Sequence, residues 1–391
     1  MEKLSIYWRV LAAGGVALVC SFQTALGDWE MKAGRLGDVS SEIVLRDHGR
    51  GLSKVRISAK GRWYKVSVCE LKLCLDLARR GLRKRIHPRG GLPDGAVSRG
   101  KNDIRKAWLS SPTRRLRHGN LGDAIEAAGL SIVDRRASRF DFSLPMNEVF
   151  EDRFARIVDL DGDKKDEIVT VISSVEKGAS LAVFKLTGEG IAKVAQTPFL
   201  GVRGAWLNPV GIGDFDGDGK VEIALVTNPD FGGRLEIWEY SSGSLHHEMG
   251  LGGFSNHRPR ARVMNMSAVA DFDGDGRPDL ALPSGDRKAL RIISLAGGMV
   301  AEPVHLSLPG AIVTQVVTVK INKKPAIIAG LDSGIIVLIS DGSTQADDDI
   351  PNWYKRNNET SLLNGMIKRN RRRNDARRSG QVREFGKPNM R

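Results

Sequence analysis

The chain is poor in cysteine and in aromatic residues, lacks a second long apolar run, and is short of acid in two places. Each shortage narrows what it can be. Only three cysteines occur in 391 residues, and Cys20 lies in the apolar N-terminal stretch. CxxxxC, formed by Cys69 and Cys74, is a poor metal motif, so zinc is not expected. In an oxidising compartment the pair could form a disulfide if KVSVCELKLCLDL bends at Glu70. If Leu71, Leu73, Leu75 and Leu77 instead alternate along one straight strand, the sulfurs point to opposite faces and cannot meet. No segment after the N-terminus is long and apolar enough to span a bilayer, so the mature chain is expected to carry no transmembrane segment. Catalytic signatures are also missing: there is no GxSxG elbow, no HExxH helix and no Walker A loop, and His246 and His247 precede Glu248 without metalloprotease spacing.

The net charge of +14 is local. RRGLRKRIHPR (Arg79 to Arg89) holds six Lys or Arg and no acid, and the last stretch (Lys368 to Arg391) holds ten against two, so these segments account for the whole excess. The C-terminal stretch lacks apolar periodicity and reads as a disordered tail. Nucleic acid is a poor partner for it, since few aromatics are interleaved to stack on bases. An anionic surface such as lipid headgroups, lipopolysaccharide or acidic polysaccharide suits it better, through a field that salt would screen. A merely solvated tail fits equally.

At the other end, MEKLSIYWR carries Lys3 and Arg9, VLAAGGVALVCSF is apolar and QTALG supplies small residues. This reads as a signal peptide over residues 1–27, cleaved after Gly27. Val19 stands where a lipobox would want a small residue, so export to the periplasm or medium is expected rather than lipidation.

Three acidic stretches dominate the interior: DLDGDKKDE (Asp159 to Glu167), DFDGDGKVE (Asp214 to Glu222) and DFDGDGRPD (Asp271 to Asp279), starting 55 and then 57 residues apart. Each places carboxylates at loop positions 1, 3, 5 and 9. Carboxylates crowded onto one turn need a cation to offset their repulsion, and hard oxygen donors suit Ca²⁺ better than Zn²⁺ or Mg²⁺. The expected side-chain ligands are Asp159, Asp161, Asp163 and Glu167; Asp214, Asp216, Asp218 and Glu222; and Asp271, Asp273, Asp275 and Asp279. At position 7, Lys165, Lys220 and Arg277 would lend backbone carbonyls. Gly219 and Gly276 occupy position 6, where a sharp turn through positive φ is expected. Lys164 stands there in the first loop, adding strain and a positive charge, so the first site is expected to be the weakest. An EF-hand is excluded: position 12 is Thr170, Leu225 or Leu282 rather than Glu, and the flanks EIVTVIS, EIALVTN and DLALPS read as strands.

These loops, each joining two strands at a near-constant period, resemble the FG-GAP/VCBS repeats of integrin-like β-propellers. The resemblance covers roughly residues 150 to 340. It implies an all-β propeller of about six four-stranded blades, with five or seven as neighbouring counts, and calcium loops in three of them. It also implies an extracytoplasmic adhesion or carbohydrate-related setting, in which the ions are mainly structural. KINKKPA marks a fourth copy without carboxylates, expected to bind no ion. The organisation read from the sequence is a signal peptide over 1–27, a degenerate β-rich region over 28–155 holding early blades or a separate β-rich domain, propeller repeats over 156–345, and a linker and basic tail over 346–391. Within 28–155, NDIRKAWLSS and LGDAIEAAG read as short amphipathic or irregular segments.

A second candidate surface consists of Trp206, Asn208, Asn256, His257 and Arg258, the set a sugar-binding patch would use, although Trp206 could equally pack between blades and His257 bond backbone. The function expected is an exported calcium-binding propeller serving as a binding or scaffold module for envelope polysaccharide or protein. The alternative is a propeller-based polysaccharide lyase or hydrolase, whose site would be assembled from several blades and leave little local signature.

Overall fold

The computed structural model describes residues 29–36, 44–46, 56–59, 62–69, 72–78, 88–116, 119–321 and 323–342. Residues 1–27, expected to be a signal peptide, most of the basic stretch Arg79 to Arg89 and the C-terminal basic stretch lie outside the described residues. All described residues belong to one compact unit that ends at Thr344.

β-branched and aliphatic runs punctuated by glycine turns produce an all-β chain of antiparallel sheets. The first sheet holds β2 (Val44–Arg46), β3 (Arg56–Ala59), β4 (Arg62–Cys69) and β5 (Lys72–Leu77). An eight-stranded sheet follows, with β6 (Ile104–Thr113), β7 (Glu126–Asp134), β8 (Arg139–Ser143), β9 (Glu148–Phe150), β10 (Arg156–Val158), β11 (Glu167–Ser174), β12 (Gly178–Thr187) and β13 (Gly190–Gln196). In it β9 bridges β7 to β11, joining two hairpin groups into one sheet. Two four-stranded meanders come next: β14 (Leu207–Gly213) to β17 (Ser244–Phe254) through β15 (Val221–Thr227) and β16 (Gly233–Ser241), then β18 (Ala268–Ala270) to β21 (Ala301–Ser307) through β19 (Asp279–Pro283) and β20 (Ala289–Ser294). The last sheet combines β22 (Val317–Ile321), β23 (Lys324–Gly330) and β24 (Ile335–Asp341) with the N-terminal β1 (Trp29–Arg35), which pairs antiparallel with β24.

Several middle strands are buried on both faces, as in β11, where all eight residues are buried, while β16 and the edge strand β13 stay half-exposed. Successive sheets share cores. Val169, Val171 and Leu181 meet Trp206, Ile223 and Leu225; Ala224, Val226 and Ile237 meet Leu280, Leu282 and Ile293; Leu290 and Ile292 meet Ile327, Val337 and Met31. Ile57, Val66 and Leu73 of the first sheet then pack on Ile328, Ile336 and Leu338 of the last. Burying each such aliphatic side chain contributes roughly 1.5–3 kcal/mol.

Two expectations for residues 28–155 change. NDIRKAWLSS forms most of the ten-residue strand β6, and the end of LGDAIEAAG opens β7, which is buried along nearly its whole length. Residues 121–125 are irregular as expected, but Ala127, Ala128 and Gly129, read as irregular from the sequence, are strand, because a sheet buried on both faces accepts small residues wherever neighbours fill the space. Cys69 and Cys74 form a disulfide, with Cα atoms 5.8 Å apart, across the β4–β5 hairpin. Cys69 faces Lys72 and Cys74 faces Ser67 across the paired strands, so the two cysteines are diagonal neighbours. Among the described residues no helix is long and apolar enough to cross a membrane.

Candidate metal centres

The three acidic stretches occupy the same place in three sheets, linking β10 to β11, β14 to β15 and β18 to β19. Their backbones repeat one hydrogen-bond pattern. The carboxylate at position 1 accepts from the amides at positions 4 and 6: Gly162 and Lys164 to Asp159 at 2.8 and 3.0 Å, Gly217 and Gly219 to Asp214 at 2.7 and 3.1 Å, Gly274 and Gly276 to Asp271 at 2.7 and 3.1 Å. The closing carboxylate at position 9 is the first or second residue of the next strand and accepts the amide at position 2: Leu160 to Glu167, Phe215 to Glu222 and Phe272 to Asp279, at 2.7–2.8 Å. Position 6 has positive φ in all three loops, 65° at Lys164, 89° at Gly219 and 91° at Gly276, so the turn geometry is met and Lys164 adopts it without glycine's freedom.

Asp159, Asp161 and Glu167 converge in the first loop, Asp214, Asp216, Asp218 and Glu222 in the second, and Asp271, Asp273 and Asp279 in the third; within each group one oxygen per residue lies within 4.8 Å of the others. Asp163 and Asp275 stand outside these closest groups. The Lys185 ammonium holds Asp163 at 2.8 Å and the Arg277 guanidinium holds Asp275 at 2.6 Å, and these bonds keep both acids below the usual carboxylate range.

Burial of the closing residue creates the strongest electrostatic demand. Glu222 is buried, and its Oε1 has no hydrogen-bond partner. Burial pushes its pKa up to about 7, against the Phe215 amide and with the help of Asp216 and Asp214. Asp279 is likewise pushed up to about 6 by burial, against the Phe272 amide and Ser294. Anionic carboxylates beside such sites need an added positive charge, and the donor set is entirely hard oxygen. Several buried acidic groups therefore form sites that could hold a metal ion.

The residue facing the closing carboxylate from the neighbouring strand differs in each loop. Lys185 faces Glu167 and Glu239 faces Glu222. In the third loop Leu280 faces Ile293, which sets Ser294 across from Asp279, and Ser294 bonds it. The sequence reading missed these three positions, because they lie about fifteen to eighteen residues beyond their loops and only the strand register brings them together.

The second candidate set is interior. Trp206 is 2% exposed and donates Nε1–H to the Glu151 carbonyl at 3.3 Å. The Asn208 amide donates to the carbonyls of Asn256 and Met264, and the Asn256 amide donates to those of Asn208 and Pro209. His257 lies between Asp230 and the Ala261 carbonyl, 2.9 Å from each, and meets the Trp206 ring edge-on. An open sugar platform needs its ring face at the surface, whereas these four side chains are buried, with Asn208 and Asn256 tying the 255–264 connection to β14; Arg258 alone is exposed. A cavity of about 210 Å³ lies near Ser98, Asn265 and Gln315, with Arg153 paired to Asp94 at 3.0 Å. Neither Glu222 nor Asp279 lines it.

No curated protein matches the chain. A loose structural likeness, with a TM-score of 0.39 and 10% identity over 75% of this chain and 76% of the other, connects it to a solved structure described as "Crystal structure of BBS1N in complex with ARL6DN, soaked with mercury"; so loose a likeness places no residue. The family model described as FG-GAP-like repeat matches residues 159–225 and 214–282, which span all three acidic loops. Residues 159–282 thus carry two overlapping FG-GAP-like repeat units.

Proposed function

We propose that this chain is an exported, calcium-stabilised β-propeller of six blades that acts as a binding or scaffold module at the cell envelope. The observation that carries the calcium reading is the buried, unpartnered Oε1 of Glu222 beside Asp214, Asp216 and Asp218, a ready-made set of oxygen donors with uncompensated charge. Asp271, Asp273 and Asp279 would hold a second ion. Six blades follow if the eight-stranded sheet is counted as two, and contact between first and last sheets supports a closed array. The Cys69–Cys74 disulfide supports an oxidising compartment and agrees with the signal-like segment 1–27.

The ion's part is structural: it would draw the strand-connecting loop onto the start of the next strand, fixing the surface that neighbouring loops present. Recognition of an envelope polysaccharide or protein would lie on the propeller, and the basic tail from Lys368 to Arg391 would add salt-sensitive attraction to anionic surfaces. Co-sedimentation with isolated envelopes and acidic polysaccharides tests this, with calcium or chelator and with or without residues 368–391. The reading expects binding that survives tail removal and needs calcium. Binding lost with the tail and with salt would reduce recognition to electrostatics, and no binding would overturn the module reading.

A further inference from the structure

The three loops share backbone geometry but differ in where the nearest protein cation sits. In the second loop the Lys220 ammonium touches Asp218 at 3.2 Å and Glu239 at 2.8 Å, at the rim, leaving Glu222 Oε1 without a hydrogen-bond partner. In the third, Arg277 engages only the position-5 residue Asp275 among its own loop's carboxylates. In the first, the Lys185 ammonium reaches in from β12 and touches three carboxylates at once: Asp163 at 2.8 Å, Glu167 Oε1 at 2.9 Å and Asp161 at 3.3 Å. That Oε1 corresponds to Glu222 Oε1; among the described residues neither atom accepts a hydrogen bond, and of the two only the Glu167 atom has an ammonium within ion-pair distance. Asp161 and Glu167 are also two of the three residues whose oxygens converge in that loop.

The ammonium donates hydrogen bonds to Asp161 and Asp163 and pairs as an ion with Glu167 Oε1, so its one positive charge is shared among three carboxylates. Its position is fixed by register, since Lys185 faces Glu167 directly across β11 and β12, and its side chain is only 18% exposed. A divalent ion entering this loop would have to share Asp161 and Glu167 with a like charge or expel the lysine into solvent. We infer that Lys185 is the resident cation of the first loop, supplied by the protein itself, and that this loop therefore takes no calcium while the second and third do. The repeat thus contains one site occupied by the protein's own ammonium beside two metal-dependent ones, with the choice made by the single residue opposite the closing carboxylate: Lys185, Glu239 or Ser294.

The inference rests on the calcium reading only for the second and third loops, and two measurements on the full mature chain separate the two claims. Calcium bound per chain, counted by native mass spectrometry, should be two in the wild type and three in Lys185→Met. Three in the wild type, or an unchanged count in a folded Lys185→Met chain, would overturn the role of Lys185. Acetylation of the native wild type by acetic anhydride, with residue-level readout, needs no variant to fold. Lys185 should react far more slowly than the exposed Lys193, equally in chelator and in calcium. Reaction as fast as that of Lys193, or acceleration by calcium, would contradict a resident ammonium. A wild type that binds no calcium yet keeps Lys185 protected would sink the calcium reading and leave the role of Lys185 as resident cation standing.

Discussion

At the scale of single residues, the loops are legible in sequence because their chemistry is local: carboxylates at positions 1, 3, 5 and 9 declare a cation site before any strand is placed. Lys164 shows the same directness, since a lysine in a glycine position announces backbone strain, and its φ of 65° bears this out. Lys164→Gly is expected to stabilise the protein by about 1 kcal/mol, read from a denaturant midpoint; a loss of stability would show that the lysine side chain does something useful there. Lys185 was invisible because nothing in its own neighbourhood, LAVFKLTG, marks it. The buried acids also set a pH dependence. The folded pKa of Glu222 is raised from an ordinary glutamate value of 4.5 to about 7, so the neutral form suits the calcium-free fold. Its contribution is fully present below about 4.5 and is lost as pH rises through about 7. In chelator, Glu222→Gln should therefore be more stable than wild type at pH 8 and lose that advantage by pH 5, as read by urea unfolding at each pH. An advantage that instead grew towards low pH would contradict the assignment.

Individual strands were readable where β-branched residues alternate or run together, as in EIVTVISS or IIVLISD, and unreadable where burial overrides propensity. β7 begins Glu-Ala-Ala-Gly, which favours no strand by itself; packing from β6, β8 and β9 holds it. The double burial of middle strands makes their side chains costly to trim. Ile168→Ala or Ile327→Ala is expected to cost roughly 2–5 kcal/mol, whereas Ile191→Ala on the half-exposed β13 should cost clearly less, measured as shifts in denaturant midpoint. Equal losses at the two kinds of site would mean that the sheets do not bury the middle strands as described. The disulfide closes only a short hairpin, so Cys69→Ser with Cys74→Ser should cost about 2 kcal/mol by the chain-entropy argument. A far larger loss would give the first sheet a more central role than its packing suggests.

For the whole molecule, the least legible feature is the pairing of β1 with β24, which joins residues some three hundred positions apart; no local pattern in WEMKAGR specifies its partner. Its consequence is that the last sheet depends on the first strand, with Trp29 and Met31 buried in a core shared with β20, β23 and β24. This pairing and the contact of Ile57 and Val66 with Ile336 and Leu338 tie both ends of the described chain together, so calcium bound in the middle sheets should be felt in the stability of the entire unit. The most direct test is thermal unfolding of the mature chain in millimolar calcium and in chelator. At a hundredfold excess over Kd each ion adds about 2.7 kcal/mol, so the account expects one cooperative transition that shifts to clearly higher temperature with calcium, by less in Glu222→Gln and by as much as wild type in Asp161→Ala. A melting temperature that chelator leaves unchanged would contradict it.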